Sequence, residues 1–398
     1  MYRWLPVLVL SISAGAQLTT PAAPTTLAPV RLPLTITAKD KKAPASLDKR
    51  LLEIYENGAP TSAFVLRTPA ATGLDLVLLI DISGSSRNKI NATRKIAERV
   101  AETLNARGYR AYVGLFNDEF AFSKTKLSRQ EIGSLLGRTC FHGPTALLDA
   151  VAAASQLLHD EQGENRHAIL VVSDGDDNAS RSTMEFAIEA AAREAATVSS
   201  INLVSARMGD SGSGGKTLKE LAESTGGTRL EATDWDELAK RLDQWERLLD
   251  SQYELRFVPP AGTTERFHKI EIRTGDKNLR VTAPGGYYFG PPLKQAELNR
   301  TAPAPAGVRL TPEGAQRLVT KMTPPRKPRA QGQQMKESVL VYVTVDKKGR
   351  VASASAPCAD PALGQLAVEA VQQWRYSPYM LNGRPVQFYT KVVLDVGN

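Results

Sequence analysis

Between residues 74 and 249, continuous apolar strands alternate with amphipathic helices. Leu76–Ile80 and Ala168–Val172 contain no polar residue, which is typical of strands buried on both faces of a parallel sheet. Helical spacing is clearest after the first strand, at Ile96, Ala97, Val100, Ala101 and Leu104. This alternation predicts a doubly wound, mostly parallel α/β sheet of the Rossmann-like kind, in which ligands bind at the carboxyl ends of the strands.

Polar side chains stand at the positions where such a sheet places its ligand site. Asp81-Ile-Ser83-Gly-Ser85 follows the first buried strand, Asp174 follows a later one, and Thr145 is expected to open a helix. One carboxylate and two hydroxyls in a bend form a hard-oxygen cluster that suits Mg²⁺. The alternative is that these residues only cap helices and shape turns, and Thr145 suits a helix N-cap in either case.

The three motifs together resemble the metal-ion-dependent adhesion site of von Willebrand factor A domains. The shared features are Asp-x-Ser-x-Ser, the Thr of Gly-Pro-Thr-Ala-Leu-Leu-Asp-Ala, and Ser-Asp-Gly after an apolar strand. The resemblance implies that Ser83 and Ser85 ligate a divalent cation directly, and that Asp81, Thr145 and Asp174 do so directly or through water. It further implies Mg²⁺, with Mn²⁺ or Ca²⁺ as alternatives, and an open coordination position that a carboxylate of a protein ligand fills.

Other polar residues beside these motifs are expected to have ordinary roles. Asp176, Asp177 and Asn178 are interpreted as solvated loop residues, and His142 as an incidental loop histidine. The chain has four histidines, no Ser-His-Asp order on suitable strands, no phosphate loop and no cofactor fingerprint. A metal site could in principle supply Lewis-acid chemistry. A hydroxyl-rich site with few bases nevertheless favours binding, so we expect that the protein is not an enzyme.

Short alternating strands flank the α/β region on both sides. Residues 31–70 and 251–290 are expected to pair with each other, so that residues 71–250 form an insertion in a small β domain. The flanking segments are similar to those of a family of exported bacterial A-domain proteins best known from Acidobacteria. The resemblance rests on Thr35–Asp40, Leu52–Gly58, Tyr253–Pro259 and Gly285–Tyr288.

The last 80 residues form a separate unit, predicted for residues 319–398 after a Pro-rich linker at 291–318. The pattern is a hairpin around Asp346–Gly349, a helix with an apolar stripe ending at Trp374, and a second hairpin at Asn382-Gly383. This unit resembles the C-terminal domain of TonB-family proteins. The resemblance implies a small α+β fold whose sheet edge captures an extended peptide, with an envelope or outer-membrane protein as a candidate partner.

The first residues have the pattern of a secretory signal. Arg3 precedes an apolar run of about a dozen residues, and Ala14-Gly15-Ala16 provides a small-x-small cleavage site before a leader at 17–30. The run is too short for a membrane-spanning helix, and no later segment is apolar enough. We therefore expect cleavage after residue 16 and a periplasmic or secreted protein; retention of the segment as a membrane anchor is the alternative.

Charge and cysteine content add weaker constraints. The formal net charge is +8, but the basic residues are scattered and no nucleic-acid-binding motif accompanies them, so no nucleic-acid partner is expected. Cys140 and Cys358 are the only cysteines and fall in different predicted domains. A disulfide between them is not expected, and Cys140 is predicted to pack as a small apolar residue.

Two functions follow from these observations. The first is an exported adhesion-type protein that recognises an acidic protein ligand through its metal site and carries a second peptide- or envelope-binding module. The second is a membrane-anchored accessory of TonB-type energy transduction to outer-membrane receptors.

Overall fold

The computed structural model describes most of the chain with its side chains. The described ranges are 29–39, 42–44, 47–61, 63–123, 128–161, 163–203, 213–232, 235–259, 266–293, 307–326 and 337–396. The predicted signal peptide and most of the predicted leader lie outside these ranges. So does Asp234, which the sequence predicts to be the N-cap of a helix over 234–249.

The described residues form strands and helices that we number along the chain. The strands are β1 Val30–Ala38, β2 Leu52–Glu56, β3 Ala59–Thr61, β4 Phe64–Arg67, β5 Leu74–Asp81, β6 Arg110–Phe116, β7 Phe120–Phe122, β8 Arg166–Val172, β9 Ala196–Leu203, β10 Arg229–Ala232, β11 Gln252–Phe257, β12 Phe267–Thr274, β13 Leu279–Thr282, β14 Gly286–Tyr288, β15 Gly307–Arg309, β16 Val319–Lys321, β17 Glu337–Val345, β18 Val351–Ser355, β19 Arg375–Tyr376, β20 Tyr379–Leu381 and β21 Arg384–Val396. The helices are α1 Ile90–Ala106, α2 Arg129–Arg138, α3 Leu147–Asp160, α4 Met184–Arg193, α5 Ser213–Thr225, α6 Trp235–Asp250, α7 Pro312–Gln316 and α8 Pro361–Gln372.

The central domain, residues 74–250, is built on a six-stranded sheet with the order β10-β9-β8-β5-β6-β7. All neighbours in it are parallel except β6 and β7. Every residue of β5 and β8 is buried, because helices cover both faces. Leu76, Leu78 and Ile80 pack on one face with α1, α2 and α6, whereas Val77 and Leu79 pack on the other with α3, α4 and α5. The predicted mixed α/β fold is thus present.

Two elements of this domain begin at residues other than those predicted. The apolar pattern predicts a strand over 201–206, but β9 begins at Ala196, because the backbone of Ala195 turns at a φ of 50° directly after α4. The small polar residues of β9 hid the strand from the apolar pattern. The helix expected from Thr145 begins at Leu147, so Thr145 lies before the helix and Ala146 is its N-cap residue.

Strands from both flanks pair around the central domain. β1 lies between β11 and β13, and β4 pairs with β11. A second sheet has the order β14-β12-β2-β3. Leu34, Ile36, Ile54 and Leu255 are almost fully buried in the core that these sheets share.

The C-terminal domain, residues 307–396, is a sheet of order β15-β21-β17-β18 covered by α8. The tight turn at Asn382-Gly383 has positive φ at both residues and joins β20 to β21. The segment predicted as a linker, 291–318, contributes β15 and α7 to this domain. β15 pairs in parallel with β21, and Ala315 of α7 is fully buried, so residues 307–318 are part of the domain and not a linker.

A disulfide joins the central and C-terminal domains, contrary to the expectation from the sequence. Cys140 and Cys358 have Cα atoms 5.7 Å apart and are bonded through their sulfurs. The expectation was wrong because it treated the domains as separate units, whereas the C-terminal domain folds back onto the loop before α3. In the described ranges, the helices are too short or too polar to span a bilayer.

Candidate metal centre

The site is built from three loops at the carboxyl edge of the central sheet. The first loop, residues 81–85, follows β5; the second, 140–145, precedes α3; the third, 173–178, follows β8. Backbone hydrogen bonds join the first two: the amide of Gly84 donates to the carbonyl of Gly143 at 3.0 Å, and His142 donates to Ile82 at 2.8 Å.

Asp81 is the buried anchor of the first loop. Its Oδ1 accepts the Ser83 amide at 2.8 Å, and its Oδ2 accepts the Ser173 hydroxyl at 2.6 Å. The second bond ties the first loop to the third. Burial raises the pKa of Asp81, hydrogen bonds from Ser173 and Ser83 oppose this, and the nearby charge of Asp174 adds to the rise.

The two serine hydroxyls of the first loop converge. Ser83 Oγ and Ser85 Oγ are 3.1 Å apart, although Ser83 is buried and Ser85 is exposed. This placement leaves one side of the hydroxyl pair open to solvent. A ligand that approaches from outside can therefore reach the point that the hydroxyls share.

Thr145 is held by the third loop. Its amide donates to Asn178 Oδ1 at 2.8 Å, and its carbonyl accepts the amides of Asn178 and Ala179. Asp177 Oδ2 accepts the amide of Leu148, at the start of α3, at 3.0 Å. Asp177 and Asn178 were interpreted from the sequence as solvated, but they fix Thr145 and the start of α3. Burial raises the pKa of Asp177, and the bond from Leu148 opposes this.

Asp174 contributes an unsatisfied carboxylate oxygen. Its Oδ1 is buried and accepts no hydrogen bond, whereas its Oδ2 lies 3.3 Å from the ammonium nitrogen of Lys89. A buried carboxylate oxygen without a partner is costly unless a cation or donor occupies it. Together with the two hydroxyls and the buried Asp81, this donor set fits a hard divalent cation such as Mg²⁺.

Three residues of the site were missed by the sequence reasoning. Ser173 donates to Asp81, Asn178 accepts from the amide of Thr145, and Lys89 forms an ion pair with Asp174. For Ser173, the signal was its place directly before Asp174 at the end of a buried strand. Asn178 was noted beside Asp174 but interpreted as solvated, and Lys89 gave no signal, because both roles arise from chain segments that meet only in the folded protein.

The predicted site thus has its three loops in mutual contact at one sheet edge. Residues 75–244 match the family model of the von Willebrand factor type A domain. Residues 325–394 match that of the Gram-negative bacterial TonB protein C-terminal domain. The chain contains a von Willebrand factor A domain and a TonB C-terminal domain. The A domain is the central domain described above, and the sequence-based prediction of both domains is confirmed.

Several solved structures are similar to part of this chain. BatB from Bacteroides thetaiotaomicron is 16% identical over 43% of this chain and 100% of its own, with a TM-score of 0.34. A von Willebrand factor type A protein from Catenulispora acidiphila is 15% identical over 66% of this chain and 72% of its own, with a TM-score of 0.37. The pilus adhesin SpaC from Lactobacillus rhamnosus GG is 10% identical over 91% of this chain and 56% of its own, with a TM-score of 0.36. No curated protein matches the chain significantly.

Proposed function

We propose that the protein is an exported, non-catalytic binding protein whose A domain uses a divalent cation to recognise an acidic protein ligand. Asp81, Ser83, Ser85, Thr145 and Asp174 are the residues that would hold the cation, with Mg²⁺ as the preferred ion. When bound, the cation supplies an electrophilic point to which a ligand carboxylate can coordinate.

The observation that carries this proposal is the unpartnered, buried Oδ1 of Asp174 beside the hydrogen-bonded loops. Asp81 and Ser83 are each only 1% exposed, so packing holds them in place at the base of the site. Ser85 is exposed and leaves the site accessible from solvent. Preorganised oxygen ligands with one open side suit reversible capture of a carboxylate better than they suit turnover of a substrate.

The C-terminal domain supplies a second binding module in this proposal. Its TonB-type fold favours contact with a peptide or with another envelope protein. The disulfide favours an oxidising compartment such as the periplasm or the exterior, because such bonds are rare in a reducing cytosol.

Calorimetric titration of Mg²⁺ and Mn²⁺ into the protein from Gln17 onward tests the metal site. We expect saturable binding at one site, lost in Asp81→Ala and in Asp174→Ala because each removes a carboxylate from the cluster. Asp236→Ala, which removes an exposed aspartate from the first turn of α6, should bind like the wild type. Binding that persists unchanged in both site variants would contradict the proposal.

The match of residues 325–394 to the TonB C-terminal model also favours a second function, an accessory of TonB-type energy transduction. That function requires a membrane anchor, so residues 1–16 must stay attached. N-terminal sequencing of the protein from fractionated cells distinguishes the two. A mature N-terminus at Gln17 in the soluble envelope fraction excludes the anchored form, and an intact N-terminus in the membrane fraction supports it.

A further inference from the structure

The C-terminal domain is fastened to the second loop, the same loop that carries Thr145. Cys140 begins this loop and is bonded to the exposed Cys358. Two residues later, His142 Nε2 lies 2.7 Å from the hydroxyl of Tyr342 in β17, and the two rings stack with centroids 4.0 Å apart.

His142 also links Tyr342 to the A domain. Asn117 Oδ1 accepts the amide of Glu119, so its Nδ2 is the donor to His142 Nδ1 at 3.1 Å and to the His142 carbonyl. His142 Nδ1 is therefore the acceptor, and Nε2–H donates to Tyr342. Burial lowers the pKa of His142, with Lys391 adding to the effect, which favours this neutral form.

Charge pairs form a second attachment beside the loop. Lys391 Nζ lies 2.7 Å from Glu119 Oε2, and Arg309 contacts both Glu119 and Asp118. Although burial opposes it, the pKa of Glu119 is lowered by the hydrogen bond and charge of Lys391 and by Arg309. Both cations come from the C-terminal domain and both carboxylates from the turn between β6 and β7.

The packing between the domains is incomplete. A cleft of about 360 Å³ separates Gly143 and Pro144 from Tyr342 and Thr344. Within the described part of the chain, Asp118 Oδ1 and Thr390 Oγ1 border this cleft as buried atoms without hydrogen-bond partners. Among the described residues, the contact thus consists of a few specific links beside the disulfide, and the apolar cores of the two domains stay separate, which is typical of an interface between separately folded domains.

We infer that the C-terminal domain regulates the metal site from within the same chain. While docked, it holds the second loop, and with it Thr145, against the first and third loops. This inference rests on the proposed function, because it assigns a regulator to the same site. The regulating surface on the A domain is the second loop together with Asp118 and Glu119.

The physical basis is preorganisation. The disulfide at residue 140 and the bonds of His142 restrict the second loop before any cation arrives, so cation binding need not pay the full cost of ordering it. Without these links, the Gly143–Gly84 bond and Thr145 would have to be ordered on binding. Loss of these links is therefore expected to weaken cation affinity.

Mn²⁺ titration of two variants, read by calorimetry, tests the inference. Cys140→Ser with Cys358→Ser removes the covalent link, and Arg309→Ala with Lys391→Ala removes the charge pairs. We expect the Kd for Mn²⁺ to rise at least about fivefold in each, within the usual range of coupling between sites. Lys347→Ala, which removes an exposed cation from the β17–β18 turn of the same domain, should leave the Kd unchanged.

Hydrogen–deuterium exchange of the same proteins provides a readout that does not depend on the metal. Peptides covering 139–145 and 81–85 should exchange faster in both interface variants than in the wild type. In Lys347→Ala, their exchange rates should equal those of the wild type. If the cysteine variant fails to fold, the Arg309→Ala/Lys391→Ala variant decides.

The outcomes separate the two proposals. Wild-type binding with an unchanged Kd in the interface variants overturns the regulation and leaves the metal site standing. Absence of wild-type binding overturns the metal function. In that case, faster hydrogen exchange of residues 81–85 in the interface variants would still support coupling between the domains. Unchanged exchange would overturn that coupling as well.

Discussion

Lys89 places an ammonium nitrogen 3.3 Å from Asp174 Oδ2, in the position of a competitor for a bound cation. Replacing it with Met should strengthen Mg²⁺ binding, because the metal would no longer displace a like charge. One charge interaction at this distance in a water-like medium is worth about 1 kcal/mol, so we expect about a fivefold lower Kd. Calorimetry measures the effect. Arg87→Met, which removes an exposed cation from the same turn, is the matched control and should bind Mg²⁺ like the wild type. Equal Mg²⁺ affinity in Lys89→Met and wild type would contradict competition by Lys89.

His167 predicts a pH dependence of stability. It is 3% exposed in β8, and burial, with a smaller effect of Arg31, lowers its pKa below the ordinary value. Its folded form binds the proton less readily than the unfolded chain, so the folded state loses stability as pH falls below about 6.5. Urea unfolding at pH 7.5 and pH 5.5 should show this loss, and a smaller loss in His167→Gln. The same loss in the variant would assign the effect to other groups.

At the scale of elements, the third loop depends on a close crossing with α5. Gly175 has a φ of +82°, and a Cβ there would lie 2.2 Å from the carbonyl oxygen of Gly214. Gly175→Ala should therefore lower the free energy of unfolding by more than about 2 kcal/mol, from backbone strain and steric overlap. Denaturant unfolding measures it.

Gly137 provides the control for that substitution. It lies in α2 with negative φ, and nothing lies within 4 Å of an added Cβ. Gly137→Ala should be neutral or stabilising by up to about 1 kcal/mol. A Gly175→Ala variant as stable as Gly137→Ala would contradict the prediction, because it would show that the third loop and α5 can move apart to accommodate the added Cβ.

Elements with a continuous apolar pattern were predictable, whereas those with small polar residues were not. β5 and β8 are apolar runs, and α1 buries Ile96, Ala97 and Val100 as its spacing predicted. β9 contains Ser199 and Ser200, which are buried in the fold. Ser199 Oγ accepts the amide of Thr228, and this bond offsets the cost of its burial. The donor to Ser199 lies 29 residues further along the chain, so periodicity does not reveal this bond.

At the scale of the whole molecule, the Cys140–Cys358 bond closes a loop across 218 residues of sequence. In the chain-entropy description, closing so long a loop stabilises the folded state by up to about 5 kcal/mol. The variant with both cysteines replaced by serine should therefore unfold at a lower urea concentration, with the C-terminal domain separating first. Circular dichroism measures the unfolding of the whole chain. Tryptophan fluorescence includes the signal of Trp374, which lies in the C-terminal domain. Reduced wild type should behave like the variant, and identical transitions in oxidised wild type and variant would contradict the prediction.

The sequence by itself determined the two domain types and the order of the motifs. Asp81, Ser83 and Ser85 lie within five residues, and Asp174 follows an apolar strand with one residue in between, so local pattern was sufficient to predict them as metal ligands. Parallel strands bring their carboxyl ends to one edge for reasons that hold in any such sheet. The identity of the metal and of the partner stays a prediction.

Only the tertiary structure decided how the domains meet and which residues support the site. The Cys140–Cys358 bond, the stacking of His142 on Tyr342 and the pairing of Lys391 with Glu119 each join segments more than 190 residues apart. Hydrophobic periodicity and motif spacing describe neighbours along the chain. Contacts between surfaces of two folded domains depend on shape and charge that exist only after each has folded, and for that reason the sequence alone did not reveal the link between the C-terminal domain and the metal loops.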